Sequence, residues 1–207
     1  MAPAARLGVM GGTFDPIHYG HLFAAEEAAY RFELERVLFI PVGVPPHKAT
    51  GESLPAEERY RMTAIAVEGN PRFEASRFEL ERPGKSFTID TMRELRDTFP
   101  AGTQLFFIVG SDSILDIKTW KQPAQLLEEF PMVVATRPGY DLHHIDEVLP
   151  DGVKWVDESG SHVMVVEIPG LDISSTEIRR RVSQGRPTRY MLPEAVRLYI
   201  DEKGFYR

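Results

Sequence analysis

What constrains this chain most is the alternation along it of two hydrophobic periods. Short apolar or β-branched runs that end in turn chemistry read as buried strands at Arg6–Met10, Val37–Pro41, Gln104–Val109, Met132–Thr136 and Val163–Ile168. Between and after them, helical spacing recurs at Tyr19–Phe32, Ala56–Val67, Ile89–Phe99, Pro123–Phe130, Ser174–Gly185 and Pro193–Lys203. Leu22, Ala25 and Ala29 line one face of the first of these helices, and Met62, Ile65 and Ala66 one face of the second. Such alternation predicts an α/β fold, doubly wound around a mainly parallel sheet, in the Rossmann-like manner. In sheets of this kind ligands bind outside the C-terminal ends of the strands.

The 207 residues predict one domain over 1–207, with a helical C-terminal part from about residue 172. Asp141–Ser161 is the least regular stretch and reads as a peripheral excursion. With no cysteine, structural disulfides, thiolate zinc sites and a cysteine nucleophile are excluded. The opening MAPAARLGVMGG lacks the apolar core of a signal peptide, and no apolar run is long enough to span a bilayer, so a cytoplasmic protein without a membrane partner is expected. A net charge of -7 argues against general nucleic-acid binding, because that needs a broad excess of Lys and Arg. An anionic ligand must therefore be held locally. Monomer and small homo-oligomer are both compatible with a chain of this size.

Local chemistry is densest at the N-terminus, in RLGVMGGTFDPIHYGHL. A strand runs into Gly11-Gly12, passes through Thr13, Phe14, Asp15 and Pro16, and a helix starts near His18. Glycines admit close backbone approach, and a helix start offers free N–H groups and a positive dipole end to phosphate. His18 and His21, three apart, project from one side of the first turn, and Gly20 leaves room for a ligand above it. Taken singly, two glycines can be an ordinary turn and two histidines ordinary packing, or with Asp15 part of a metal site. The adjacent His143 and His144 are a second candidate metal pair, in the irregular region. A metal-dependent hydrolase built on either set is one rival reading.

Far along the chain, Asp172-Ile173-Ser174-Ser175-Thr176-Glu177-Ile178-Arg179 follows a strand and opens a helix. Ser174 and Glu177 have capping-box spacing, and the same hydroxyls and amides, with Arg179, could clamp phosphates. Phe107–Asp112 ends a strand in Gly110 and Asp112, where such folds read a ribose or base, although Asp112 could equally be a helix N-cap.

Together GGTFDPIHYGH and ISSTEIR resemble the HxGH and ISSTxIR motifs of the nucleotidyltransferase superfamily. The resemblance implies an ATP site formed by Gly11, Gly12, Thr13, Phe14, His18, His21, Gly110, Asp112, Ser174, Ser175, Thr176 and Arg179. It implies catalytic roles for His18, His21 and Arg179 on the phosphates, with Mg2+ carried by ATP and no protein-held metal. The segments PPHK, SFTIDT, GSD followed by a tryptophan, and ISSTEIR are together similar to bacterial nicotinate-nucleotide adenylyltransferases, over a span from Leu7 to about Arg181. That likeness implies transfer of AMP from ATP to nicotinate mononucleotide, giving deamido-NAD and pyrophosphate. It assigns the pyridine mononucleotide to Thr13, Lys48, Thr88, Trp120 and Arg137, with Trp120 stacking the ring and Lys48 near the phosphate.

Rivals within enzymes are adenylyltransferases acting on nicotinamide mononucleotide or phosphopantetheine, and cytidylyltransferases. Outside enzymes, a nucleotide-binding sensor could keep the fold. No Ser-His-Asp triad is evident, which suits a phosphate nucleophile that is already ionised near neutral pH, since its second pKa is about 6.

Overall fold

In the computed structural model, residues 5–45, 53–136, 149, 163–169 and 172–207 are described. Strand β1 (Arg6–Gly12) lies at the middle of a six-stranded parallel sheet. It pairs with β2 (Arg36–Pro41) on one side and β4 (Gln104–Gly110) on the other. Beyond β2 lies β3 (Phe73–Ala75); beyond β4 come β5 (Met132–Thr136) and β6 (Val163–Glu167). The order β3-β2-β1-β4-β5-β6 makes the winding reverse between β1 and β4, so their carboxyl ends splay apart into a crevice.

Helix α1 spans Tyr19–Arg31, α2 Ala56–Val67, α3 Thr88–Thr98, α4 Ser111–Ile114 and α5 Pro123–Glu129. A 3-10 turn at Ile117–Thr119 precedes α5, and α6 (Ser175–Ser183) and α7 (Glu194–Lys203) follow β6. Alternate strand residues enter opposite layers. Met10, Phe39, Ile108 and Val133 pack with Ala25, Ala28, Met62, Ile178 and Val196 from α1, α2, α6 and α7. Leu7, Val9, Ile40 and Phe107 pack with Ile89, Met92, Leu95 and Leu127 from α3 and α5. Each fully buried Val, Leu, Ile, Phe or Met side chain among them contributes about 1.5–3 kcal/mol.

All five expected strands and all six expected helices form, with ends shifted by a residue or two. β1 continues through Gly11 and Gly12 because both stay in register with Ile40 and Pro41. Three elements lacked a periodic signature: β3 has only three residues, with Phe73 and Ala75 half-buried around an exposed Glu74, and α4 and the 3-10 turn are too short to repeat. On α2 the buried face is Arg59, Met62, Thr63 and Val67, rotated from the expected Met62–Ile65–Ala66 stripe. The irregular stretch Asp141–Ser161, with His143 and His144, lies outside the described residues apart from Leu149.

Candidate active site

The β1–α1 loop is built from its own side chains. Phe14 takes φ 48° and is buried. His18 is the N-cap of α1 in extended conformation (φ -149°), and a histidine capping box closes the helix end. In it, the His18 backbone N–H donates to Nδ1 of His21 at 3.3 Å. The two imidazoles stack with centroids 3.8 Å apart, while Phe14 meets His21 edge-on at 5.1 Å. Burial, and secondarily the charge of His18, holds the His21 pKa well below the ordinary histidine value. His21 is therefore a neutral ring at neutral pH. Its Nδ1 accepts, so the proton sits on Nε2, which is left as a donor. Gly20 borders open space beside this turn, and a Cβ on it would lie 3.0 Å from His18 Nδ1, so a side chain there would crowd the His18 ring.

Helix α6 brings the second motif against this loop. Ser174 is its N-cap and accepts from the Glu177 backbone N–H at 3.2 Å. The reciprocal arm of a capping box is not made, because the Glu177 carboxylate pairs with Arg180 and Arg181, which bring its pKa down to about 2. Ser175 Oγ donates to the Pro16 carbonyl at 2.8 Å, and Arg179 donates to the Asp15 carbonyl at 2.8 Å and to Thr176 Oγ1 at 3.2 Å. The guanidinium is thus anchored on one edge before any ligand arrives.

Two cavities meet in the crevice. The first, about 350 Å³, is lined by all twelve residues expected at an ATP site: Gly11, Gly12, Thr13, Phe14, His18, His21, Gly110, Asp112, Ser174, Ser175, Thr176 and Arg179. The second, about 600 Å³, lies on the β2 and α3 side and includes Thr13, Thr88 and Trp120. Gly11, Gly12, Thr13, Val109 and Ser113 border both. A ligand in one therefore abuts a ligand in the other at the end of β1. Asp112 is exposed within α4, whose N-cap is Gly110, so the N-cap alternative for Asp112 does not hold. Trp120 is half-buried, its ring edge-on to Phe107 at 6.0 Å, and Thr88 is the first residue of α3. Lys48 and Arg137 fall outside the described residues.

Three polar groups of the site were missed by the sequence reading. Arg59 of α2, 1% exposed, donates to the Leu54, Thr13 and Val42 carbonyls at 3.0, 2.8 and 2.6 Å. Glu79, also buried, accepts from Thr91 Oγ1 at 2.6 Å and lines the larger cavity. Tyr206 donates to Asp15 Oδ1, and burial first and that bond second push its pKa up.

A family model described as cytidylyltransferase-like matches residues 9–181. A Moorella thermoacetica protein named "Probable nicotinate-nucleotide adenylyltransferase" is 48% identical over 203 residues, covering 98% of this chain and 92% of that protein. A Thermus thermophilus protein of the same name is 46% identical over 202 residues, covering 98% and 100%. Among solved structures, Plasmodium falciparum nicotinic acid mononucleotide adenylyltransferase complexed with NaAD aligns with a TM-score of 0.78 at 19% identity, over 98% of this chain and 97% of that one. The structural likeness bears on the fold.

Proposed function

The chain belongs to the cytidylyltransferase-like family and, with its relatives, to the nicotinate-nucleotide adenylyltransferases; on that premise we propose how its two cavities transfer AMP from ATP to nicotinate mononucleotide, forming deamido-NAD and pyrophosphate. ATP occupies the cavity of the two motifs, and the mononucleotide the cavity of Thr88 and Trp120. The observation that carries this division is the shared border at Gly11–Thr13, which lets one cavity deliver a phosphate to a phosphate held in the other. The chain acts as one nucleotidyltransferase domain in the cytoplasm. Among its described residues no helix is long and apolar enough to cross a membrane.

The mononucleotide's phosphate oxygen attacks the α-phosphorus of ATP. A new P–O bond forms, the bridge to the β-phosphate breaks, and its electron pair departs on pyrophosphate. The attacking oxygen is already ionised, so alignment and charge stabilisation carry the catalysis. His21 donates its Nε2–H to the phosphates from a ring already turned by the His18 backbone. His18, stacked on it, completes that wall. Arg179 offers its remaining donors to the β- and γ-phosphates, and Ser174, Ser175 and Thr176 offer hydroxyls and amides at the start of α6. Gly110 and Asp112 border the nucleoside. On the acceptor side, Trp120 stacks the pyridine ring and Thr88 supports it; the glycine-rich loop and Lys48 hold the phosphate, and Arg137 belongs to the same site.

Among the described residues no group of three or more His, Asp or Glu could by itself hold an ion. The cavity's donor-rich wall suits phosphates, so Mg2+ is best accommodated on the phosphates of ATP, where it neutralises part of their charge. The deciding experiment compares pyrophosphate release with nicotinate mononucleotide, nicotinamide mononucleotide and phosphopantetheine. A preference for the first is expected; a clear preference for either other acceptor overturns the assignment.

A further inference from the structure

Arg59 and Glu79 carry opposite charges into the interior beside the crevice without forming an ion pair with each other among the contacts described. Each instead holds one side of Gly43, in the loop that leaves β2. Arg59 donates to the Gly43 carbonyl at 3.3 Å and to that of Val42 at 2.6 Å, while the Gly43 N–H donates to Glu79 Oε2 at 3.4 Å. The fit admits no side chain, since a Cβ on Gly43 would lie 2.3 Å from the Glu79 carbonyl oxygen. The other end of the Arg59 guanidinium donates to the carbonyl of Thr13, a residue that borders both cavities. Glu79 in turn receives the hydroxyl of Thr91 from α3, the helix whose first residue is Thr88.

A buried guanidinium is costly unless its donors are satisfied, and loop carbonyls satisfy this one. Burial lowers the Arg59 pKa, and the carboxylates of Asp15 and Glu79 oppose that. It remains a cation at any physiological pH. Past Pro41 the backbone ties the two loops by one bond, from the Val42 N–H to the Gly12 carbonyl at 2.9 Å, and the Arg59 and Glu79 bonds fix what lies beyond it. A change at Arg59 or Gly43, which line neither cavity, frees the loops without removing a group of the cavity wall, whereas Glu79 also lines the larger cavity.

We propose that Arg59 and Glu79 are a positioning pair: they clamp Gly43 between them and hold the acceptor loop in register with Thr13 of the nucleotide loop. The inference rests on the division of the two cavities proposed above. Glu79 acts on the acceptor side alone. Arg59 acts on both, because it reaches both loops.

The test is steady-state kinetics of pyrophosphate release in Glu79→Gln, Gly43→Ala and Arg59→Lys, with Tyr199→Phe as a control. Tyr199 bonds Glu58 on the same α2 helix at 2.6 Å and lies outside the site, so it reports general loosening of that helix. The acceptor is whichever of the three compounds the unaltered enzyme prefers. An error in the acceptor assignment then appears in the unaltered enzyme and an error in the clamp only in the variants. Glu79→Gln and Gly43→Ala are expected to raise KM for the acceptor about tenfold, the equivalent of one lost hydrogen bond to a charged group, with KM for ATP within about twofold. Arg59→Lys is expected to raise the acceptor KM and also lower kcat, and Tyr199→Phe to leave both constants in place. Should Arg59→Lys fail to fold, the other two variants decide. Equal changes in both KM values in Glu79→Gln and Gly43→Ala, or unchanged constants in those two variants, overturn the proposal.

Discussion

Tyr206 donates its hydroxyl to Oδ1 of Asp15 at 2.6 Å across 191 positions of sequence. Asp15 is buried and Tyr206 half-buried, and the Asp15 carbonyl simultaneously receives Arg179. The segment after α7 thus fastens the loop that also carries Thr13 and His18. Tyr206→Phe removes one donor and leaves a buried carboxylate short of a partner. A loss of about 1–3 kcal/mol in unfolding free energy is expected, read by urea denaturation at neutral pH. An unchanged midpoint would mean that the bond contributes nothing to holding the loop.

The stacked histidines make stability depend on pH. The folded-state pKa of His21 lies below its unfolded value, so between the two the unfolded chain binds more protons and stability rises with pH. The contribution is complete above about pH 6.5 and is lost as pH falls through the folded value. Unfolding midpoints measured from pH 7.5 downward should decline below that point, and His21→Asn should flatten the decline. Bound ATP brings negative charge to the ring. The His21 titration followed by NMR should therefore move upward when ATP is added.

Much of this architecture was legible because its signals are local. Alternating periods gave the strands and helices, and the i, i+3 spacing of His18 and His21, or of Ser174 and Glu177, marked the two helix starts that face each other. Arg59, Glu79 and Tyr206 escaped because their partners are distant: Arg59 and Thr13 are 46 residues apart. An arginine in an amphipathic helix usually points to water. The usable hint was its position one turn before Met62, on the buried side of α2. Nothing comparable marks Tyr206, whose burial depends entirely on how the last helix docks. Asp112 was ambiguous for a different reason, because the helix that follows β4 has only four residues and its start cannot be fixed by periodicity.

His21→Ala tests the donor role directly. The ring packs against Phe14 and His18 at the rim of the nucleotide cavity, so its loss costs some packing, but the strands beneath do not depend on it. Removing one preorganised donor to a developing oxyanion lowers turnover about 100- to 1000-fold. A fall of that size in kcat for pyrophosphate release, with far-UV circular dichroism unchanged, is expected. Turnover within a few-fold of normal would shift the burden to Arg179 and the α6 amides.

Trp120 lets the proposed division between the two cavities be tested. Its ring lines the acceptor cavity and is absent from the lining of the nucleotide cavity, and Phe107 supports it edge-on. An aromatic face stacked on a flat heterocycle contributes about 1–3 kcal/mol by alanine substitution. Trp120→Ala should therefore raise KM for the pyridine mononucleotide by about tenfold or more and leave KM for ATP nearly constant. Trp120→Phe should recover most of the loss, because stacking needs a ring and not the indole N–H. Acceptor and ATP constants measured side by side decide it: if ATP affinity falls with acceptor affinity, Trp120 supports the crevice as a whole and does not read the pyridine.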